Sequence, residues 1–123
     1  MHKAGLGKEG ENRAAQALEA AGMTIIARNF RSQRGEIDII ALDGEMGDAD
    51  AALVFIEVKA WSKLGMENLS YSLSPKKQRR IIETAKYFLS IYRQYYGRAI
   101  RFDVVFIGKG AVTHLASAFM ERI

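Results

Sequence analysis

The strongest constraint on the fold of this chain is the segment Val54–Lys59, VFIEVK. Its β-branched and aromatic residues predict a strand buried inside a sheet, where charged side chains are normally excluded. Two charges nevertheless interrupt it, and because side chains alternate along a strand, Glu57 and Lys59 point to the same face. A carboxylate and an ammonium inside a sheet are costly unless they are paired or bind something. The segment therefore predicts either an ion pair at the end of a strand or a functional site.

The segment Glu36–Leu42, EIDIIAL, repeats this anomaly. Read as a strand, it places Glu36 and Asp38 on one face and Ile37 and Ile39 on the other. Alternation on a half-exposed strand would explain that pattern. The apolar run that follows is instead typical of a strand buried on both faces. Asp38 is therefore a second candidate for an acid in a site.

A third acid lies on the first predicted helix, Lys8–Ala21, which is rich in alanine and is followed by a glycine. Glu11 shares the inner face of this helix with Ala14 and Leu18. Two interpretations remain open. An acid in the first turn is favoured by the helix dipole, and an acid on a core-facing stripe is typical of a functional residue.

The remaining pattern predicts a mixed α/β domain. The other expected elements are the strand Thr24–Phe30, the hairpin turn Arg31–Gly35, the loop Asp43–Asp50, the irregular stretch Trp61–Leu73, a helix from Ser74 and Pro75 to about Tyr95, the strand Ile100–Ile107 and an element of undetermined type at Val112–Met120. Val54–Lys59 is expected to run antiparallel to Glu36–Leu42. We expect the second helix to bury the stripe Ile81, Ile82, Ala85, Phe88, Leu89 and Tyr92, and His114 to be a packed or surface residue rather than a ligand.

Length and composition narrow the class of protein. The 123 residues suit one domain, 1–123, and the absence of cysteine excludes disulfides and thiolate metal sites. No run reaches the roughly 20 apolar residues that a membrane span needs, and the N-terminus shows no signal peptide. We therefore expect a cytoplasmic protein without a membrane partner. The net charge of +4 permits an anionic partner without demanding one.

Basic residues crowd the start of the second helix, where the helix dipole favours acids. The candidates for contact with a nucleic-acid backbone are Lys76, Lys77, Arg79 and Arg80 on this helix and Arg31 and Arg34 in the hairpin turn. A solvated basic face is the ordinary alternative. Gln78 leans toward the core side of the same helix and, with Glu36, is a candidate auxiliary residue.

The two strand acids have a chemical use if they converge. Two carboxylates that meet repel each other unless a cation lies between them. In a chain without cysteine, an all-oxygen site suits Mg²⁺ or Mn²⁺, which can activate a water and stabilise charge on a phosphate. Lys59 would add a positive charge for the transition state. Asp38, Glu57 and Lys59 are thus candidate catalytic residues of a phosphodiesterase.

These residues also carry a family resemblance. Asp38 followed by Glu57-Val58-Lys59 resembles the PD-(D/E)xK motif of type II restriction enzymes and archaeal Holliday-junction resolvases. A closer resemblance, from about Gly7 to Phe119, is to the YraN family of small bacterial proteins. The segments that carry it are Gly10-Glu11, Ala27–Arg31, Gly35–Ile40, Val54–Lys59 and Arg101–Val105.

The resemblance implies a restriction-endonuclease-like core, α-β-β-β-α-β, with a central mixed sheet flanked by helices. It also implies a metal site of Glu11, Asp38 and Glu57, with Lys59 catalytic. The chain departs from the family pattern at Trp61, where arginine is usual, and in the loop Asp43–Ala52, which is longer than usual.

Three functions remain as hypotheses. The first is a metal-dependent endonuclease acting on DNA, with branched or damaged structures as candidate substrates. The second is a non-catalytic nucleic-acid-binding protein that keeps the nuclease fold, and the third is a structural protein whose buried charges are ion pairs. Resolvases act as dimers on a two-fold symmetric junction, so a homodimer is left open, although the sequence carries no dimer signature.

Overall fold

A computed structural model describes residues 7–60 and 73–119 of the chain. The elements are α1 (Gly7–Ala20), β1 (Thr24–Arg31), β2 (Glu36–Leu42), β3 (Leu53–Ala60), α2 (Pro75–Ile91), a short 3₁₀ helix (Arg93–Tyr95), β4 (Ile100–Ile107) and β5 (Val112–Phe119). The expected α-β-β-β-α-β order is confirmed, and β5 follows it. The irregular stretch predicted at Trp61–Leu73 lies, apart from Leu73, outside the described residues, as do Met120 and the departure at Trp61.

The strands form one mixed sheet in the order β1-β2-β3-β4-β5. All neighbours are antiparallel except β3 and β4, which are parallel. A parallel pair needs a long crossover connection, and α2 lies within the segment that joins β3 to β4. The predicted hairpin and the antiparallel pairing of Glu36–Leu42 with Val54–Lys59 are confirmed.

Each face of the sheet is covered by one helix. On one face, Ala14 and Leu18 of α1 pack with Val54, Ile56 and Val58 of β3. On the other face, α2 packs on the alternate residues of β3 through side chains that include Ile81, Phe88, Leu53 and Phe55. Because side chains alternate along β3, Glu57 follows Phe55 to the α2 face.

The predicted start of α2 is confirmed. The Ser74 hydroxyl caps the helix by accepting a hydrogen bond from the Lys77 amide at 3.2 Å, and Pro75 occupies the first turn. The predicted end was wrong, because the helix stops at Ile91 rather than near Tyr95. The chain unwinds at Tyr92, which is exposed rather than part of the buried stripe.

The 3₁₀ helix explains that difference. It returns the chain to the core, so the Tyr95 ring stacks on Phe88 with their centroids 5.8 Å apart. Periodicity along α2 cannot show this, because the contact is made after the helical repeat has ended. No helix in the described ranges, 7–60 and 73–119, is long and apolar enough to cross a membrane.

The sequence did not predict the type of the element at Val112–Met120, and the structure shows that its described part, Val112–Phe119, is the strand β5. A buried aspartate links β5 to β4. Asp103 accepts two hydrogen bonds from the Arg101 guanidinium, both 2.9 Å, and one from the Ser117 amide at 3.0 Å. The Nε2 atom of His114 lies 2.7 Å from Oδ2 of Asp103. His114 is therefore a surface residue of β5 that contacts a buried acid, and the sequence pattern did not indicate this contact.

These contacts also determine the charge state of the cluster. Burial alone would raise the pKa of Asp103, but hydrogen bonds from His114, Arg101 and the Ser117 amide outweigh it and hold that pKa below its ordinary value. Hydrogen bonding to Asp103 raises the pKa of Arg101, against the opposing effect of burial. Arg101 also reaches Asp43 at 2.7 Å, so the cluster ties the Asp43–Ala52 loop to the sheet.

Replacing Asp103 with asparagine should lower the free energy of unfolding by about 3 kcal/mol at neutral pH, the lower end of the range for a broken buried ion pair, because Arg101 keeps Asp43. The depressed pKa means that this contribution is present above the unfolded pKa, near 3.8, and is lost as pH falls through the folded pKa. Urea unfolding at neutral and acid pH should therefore show the gap between the two proteins closing in acid. Asp50→Asn, at an exposed position, is the control; a gap that persists unchanged in acid would contradict the assignment.

Candidate active site

The site is built where β2 and β3 separate. Their ladder ends at the pair Ile39–Ile56. Beyond it, the Val58 amide donates to Oδ2 of Asp38 at 2.7 Å, so a side-chain carboxylate takes the place of a strand carbonyl. Asp38 is only 1% exposed. A buried acid thus lies in the opening between two strands rather than on the solvated face of one.

The neighbouring strand is irregular at the same level. Asn29 lies between the pairs Arg28–Ile39 and Phe30–Ile37, and so opposite Asp38, and it has a φ of 54°. This left-handed conformation is uncommon for residues other than glycine, and asparagine is among those that adopt it most readily. Strained backbone of this kind is found preferentially at functional sites.

The irregularity corrects one prediction. Ile37 and Ile39 were expected to share a face of the sheet, but Ile37 packs in the core beneath α2 and Ile39 in the core beneath α1. Simple alternation therefore fails at Asp38. The sequence pattern indicated Asp38 as an acid in an apolar strand, but it did not indicate the irregularity at Asn29.

Glu57 lies between two lysines. Its Oε2 atom is 3.5 Å from Nζ of Lys59 and 3.4 Å from Nζ of Lys77. The first contact confirms that Glu57 and Lys59 share a face. The second was not predicted, because Lys77 belongs to the first turn of α2, which tertiary packing brings over the end of β3.

A cleft of about 430 Å³ lies between the end of β3, the β1–β2 turn and the start of α2, and Glu57 and Lys77 line it. Lys59 is not among its lining residues and adjoins the cleft through its contact with Glu57. Its acidic lining residues are Glu36, Asp38 and Glu57. Its basic lining residues are Arg34, Lys76, Lys77 and Arg80. The two strand acids therefore open into the same cleft, and the predicted basic start of α2 surrounds them.

Three other predicted residues have different surroundings. Arg79 is exposed and does not line the cleft. Arg31 forms an exposed ion pair with Glu36, with Nε and Oε2 3.2 Å apart. Gln78 donates from Nε2 to the Leu73 carbonyl at 2.7 Å and so holds the chain as it enters α2. Gln78 thus orders the start of α2, which borders the cleft, but it does not line the cleft itself.

Glu11 lies on the other side of the sheet, because α1 packs on the face opposite Glu57. Its Oε1 is 3.8 Å from the Arg28 guanidinium, and Arg28 pairs with Ile39, the neighbour of Asp38. Within residues 7–60 and 73–119, no three Asp, Glu or His side chains are grouped closely enough to hold a metal ion. The structure brings Asp38 and Glu57 to one cleft but not Glu11, so the three-acid site stays a prediction.

The donor chemistry of the cleft fits a small hard cation. Mg²⁺ is commonly held by one or two carboxylates, with waters and substrate phosphates completing its coordination. Asp38 and Glu57 supply two carboxylates, and both are nearly buried, with exposures of 1% and 7%. Lys59 and Lys77 supply the positive charge that Glu57 needs in this structure, so a cation would have to compete with them.

The profile of the "Uncharacterised protein family UPF0102" matches residues 10–107. The chain belongs to the UPF0102 (YraN) family. The family resemblance is thereby confirmed, and the matched region contains Glu11, Asp38, Glu57 and Lys59.

Family members from distant bacteria are similar over nearly their whole length. The UPF0102 protein of Treponema denticola is 42% identical over 93% of this chain and 94% of its own. That of Persephonella marina is 39% identical over 92% and 91%, and that of Rhodococcus opacus 41% over 96% and 98%, of the two chains respectively. Each of these alignments therefore covers most of this chain and most of the relative.

The hydrogen bond between Asp38 and Val58 predicts a difference between two substitutions. Asp38→Ala should lower the free energy of unfolding by about 1–3 kcal/mol, because the buried Val58 amide loses its acceptor. Asp38→Asn should cost less, because its side-chain oxygen can still accept. Urea denaturation of both variants measures the difference; equal stabilities would show that the hydrogen bond does not hold the strands at this point.

Proposed function

We propose that this protein is a metal-dependent endonuclease that hydrolyses phosphodiester bonds of DNA. The observation that carries the proposal is the convergence of Asp38 and Glu57, with Lys59 3.5 Å from Glu57, in one cleft with a basic rim. Buried acids repel a phosphate backbone and serve no purpose in simple binding. Acids that hold a cation beside a lysine serve phosphodiester hydrolysis.

Asp38 and Glu57 are the proposed ligands of Mg²⁺ or Mn²⁺. Glu11, which the family resemblance also implies as a ligand, lies on the opposite side of the sheet in this structure and is not part of the proposed pair. When bound, the cation supplies Lewis acidity toward a phosphate oxygen and lowers the pKa of water. Asp38 is held for this role by the Val58 amide, which fixes one of its oxygens. That contact orients the carboxylate before any ligand arrives.

The two lysines have separable roles. Lys59, whose side chain is 19% exposed, is the more sheltered, so its charge is less screened by water and stabilises the negative charge that develops on the phosphate. Lys77, at 38% exposure, lies nearer the solvent and contacts the incoming backbone. Both neutralise Glu57 in this structure, a role that a cation held by Asp38 and Glu57 would take over.

The rim of the cleft supplies the backbone contacts. Arg34 comes from the β1–β2 turn, and Lys76 and Arg80 come from successive turns of α2. Their charges line one cleft instead of being dispersed over the surface. This arrangement raises the local concentration of an anionic substrate. DNA is the partner we propose.

The second candidate function is a nucleic-acid-binding protein without catalysis. One observation favours it, since Glu57 already has two lysine partners and so resembles a structural ion pair. In that case the cleft binds the backbone through its rim, and the acids contribute only to the fold. Metal binding and the kinetics of a Lys59 variant distinguish the two.

The first test is metal binding by isothermal calorimetry. The wild-type protein should bind Mn²⁺, and Mg²⁺ more weakly, whereas Asp38→Asn and Glu57→Gln should abolish the heat because each removes a proposed ligand. Glu36→Gln is the matched control, since Glu36 lines the same cleft but pairs with Arg31. Unchanged binding by both ligand variants would remove the metal site from the proposal.

The second test is the rate of cleavage by Lys59→Ala. Single-turnover cleavage with Mn²⁺ should fall by about 100-fold or more, the scale for loss of one electrostatic stabiliser, while DNA and metal binding persist. Lys59→Arg should restore the rate only in part, because a planar guanidinium does not replace a compact ammonium. Lys8→Ala, at an exposed position on α1, is the control for loss of a positive charge.

Melting temperature is measured on the same preparations. If Lys59 only neutralises Glu57, Lys59→Ala should destabilise the fold, and the rate per folded molecule should match that of the wild type. That result would leave Lys59 as a structural residue and favour the binding protein.

The third test is the salt dependence of DNA binding. Each phosphate contact that is lost should flatten the slope of log K against log salt by about 0.9. Lys76→Ala with Arg80→Ala should thus flatten it by about 2 for every sequence alike. Arg79→Ala is the matched control, because Arg79 lies on the same helix outside the cleft. An equal effect of Arg79 would place the contacts on the open face of α2.

A further inference from the structure

A second groove lies beside the cleft, on the other side of the β1–β2 turn. The turn is fixed against α2 by a 2.9 Å hydrogen bond between the hydroxyls of Ser32 and buried Thr84. Gly35 lies so close to the helix that a Cβ at this position would be 3.5 Å from side-chain atoms of Arg80 and Thr84. It therefore forms a rigid wall between the two depressions. Arg34, at the turn, lines both of them.

The groove has a volume of about 540 Å³ and a mixed lining of cationic, polar and aromatic groups. The residues that matter here are Ser32, Gln33, Arg34, Lys86, Tyr87 and Ser90. The acid in the lining, Glu83, is 4.0 Å from Lys86 in an exposed pair, which contributes little to holding either side chain. Lys86 thus remains available to an anionic ligand.

Tyr87 is the aromatic member, and its ring is both exposed and held in place. The residue is 48% exposed, while its ring packs on Phe30 with centroids 5.9 Å apart. Phe30 is fixed in turn by an edge-on contact with Phe88, 5.2 Å away. An aromatic surface that is already ordered loses little entropy when a second ring stacks on it.

We propose that this groove binds a single-stranded segment of the DNA, with an unpaired base stacked on Tyr87 and its phosphates near Arg34 and Lys86. The inference rests on the proposed function and names its substrate class. A basic groove with an aromatic platform is the general arrangement for single strands, because every base offers a flat face for stacking. The bases of an intact duplex are stacked on each other and cannot enter such a groove.

The spacing along α2 defines the substrate more closely. Tyr87 lies ten residues after Lys77, which is about 15 Å along a helix axis. Because the rise along a duplex is about 3.4 Å per nucleotide and an unstacked strand extends further, that distance corresponds to at most about four nucleotides. The preferred substrate is therefore a duplex that carries a single-stranded tail or flap beginning within a few nucleotides of the cleaved phosphate. Continuity with the cleft through Arg34 favours DNA over a peptide as the occupant.

The experiment compares a fluorescent duplex carrying a single-stranded tail with the same duplex blunt-ended, by anisotropy in EDTA. Tyr87→Leu keeps an apolar contact with Phe30 but removes the stacking surface, and Tyr87→Phe keeps both. Tyr96→Leu is the matched control, because Tyr96 is 58% exposed beside Arg93 but lies outside the groove. Melting temperatures verify that each variant is folded.

The wild type should bind the tailed duplex more tightly than the blunt one. Tyr87→Leu should weaken binding of the tailed duplex by roughly 5- to 150-fold, the range for loss of one stacked base, and leave the blunt duplex unchanged. Tyr87→Phe and Tyr96→Leu should match the wild type. Equal binding of the two duplexes by the wild type, or an equal effect of Tyr87→Leu and Tyr96→Leu, would overturn the proposal.

Cleavage is measured separately with Mn²⁺, so the two proposals fail in different ways. Tail-dependent binding that requires Tyr87, without cleavage, supports the groove and contradicts the endonuclease. Cleavage by the wild type together with unchanged tail binding by Tyr87→Leu supports the endonuclease and overturns the groove.

Discussion

The candidate site depends on one hydrogen bond, from the Val58 amide to the Asp38 carboxylate. A strand amide that loses its ladder partner inside a protein must find another acceptor. Asp38 provides it where β2 and β3 part, beyond the pair Ile39–Ile56. The separation of the strands therefore depends on the buried acid. Without Asp38, the Val58 amide would be a buried donor that has lost this acceptor.

The parallel pairing of β3 and β4 explains why the basic start of α2 lies at this opening. A parallel connection must carry the chain back along the sheet, so the crossover helix starts near the end at which β3 finishes. Glu57 and Lys59 lie among the last four residues of strand β3, and Lys77 lies in the first turn of α2. Topology thus brings an otherwise unfavourable cluster of positive charge to the acid that neutralises it.

Two buried clusters of charge in the described part of the chain differ in the contacts that hold their acids. Asp103 receives two bonds of 2.9 Å from Arg101, a backbone amide and a histidine, and its pKa is held low. Such an acid fastens β5 to β4 and has little capacity for a ligand. Glu57 has lysines at 3.4 and 3.5 Å, which are longer contacts with flexible ammonium groups. In the proposed function, a cation would take the place of these lysines.

Local pattern determined most of the elements, the hairpin, the Ser74 cap and the shared face of Glu57 and Lys59, because each depends on residues close in sequence. The same reasoning indicated Asp38 and Glu57 as partners. Tertiary structure alone decided the remainder: the early end of α2, the opposite packing of Ile37 and Ile39, the contact of Lys77 with Glu57 and the place of Glu11 on the far side of the sheet. Periodicity describes one strand or helix at a time. It contains no information on which neighbour interrupts a ladder or which helix end lies over a strand, since those contacts join residues far apart in the chain.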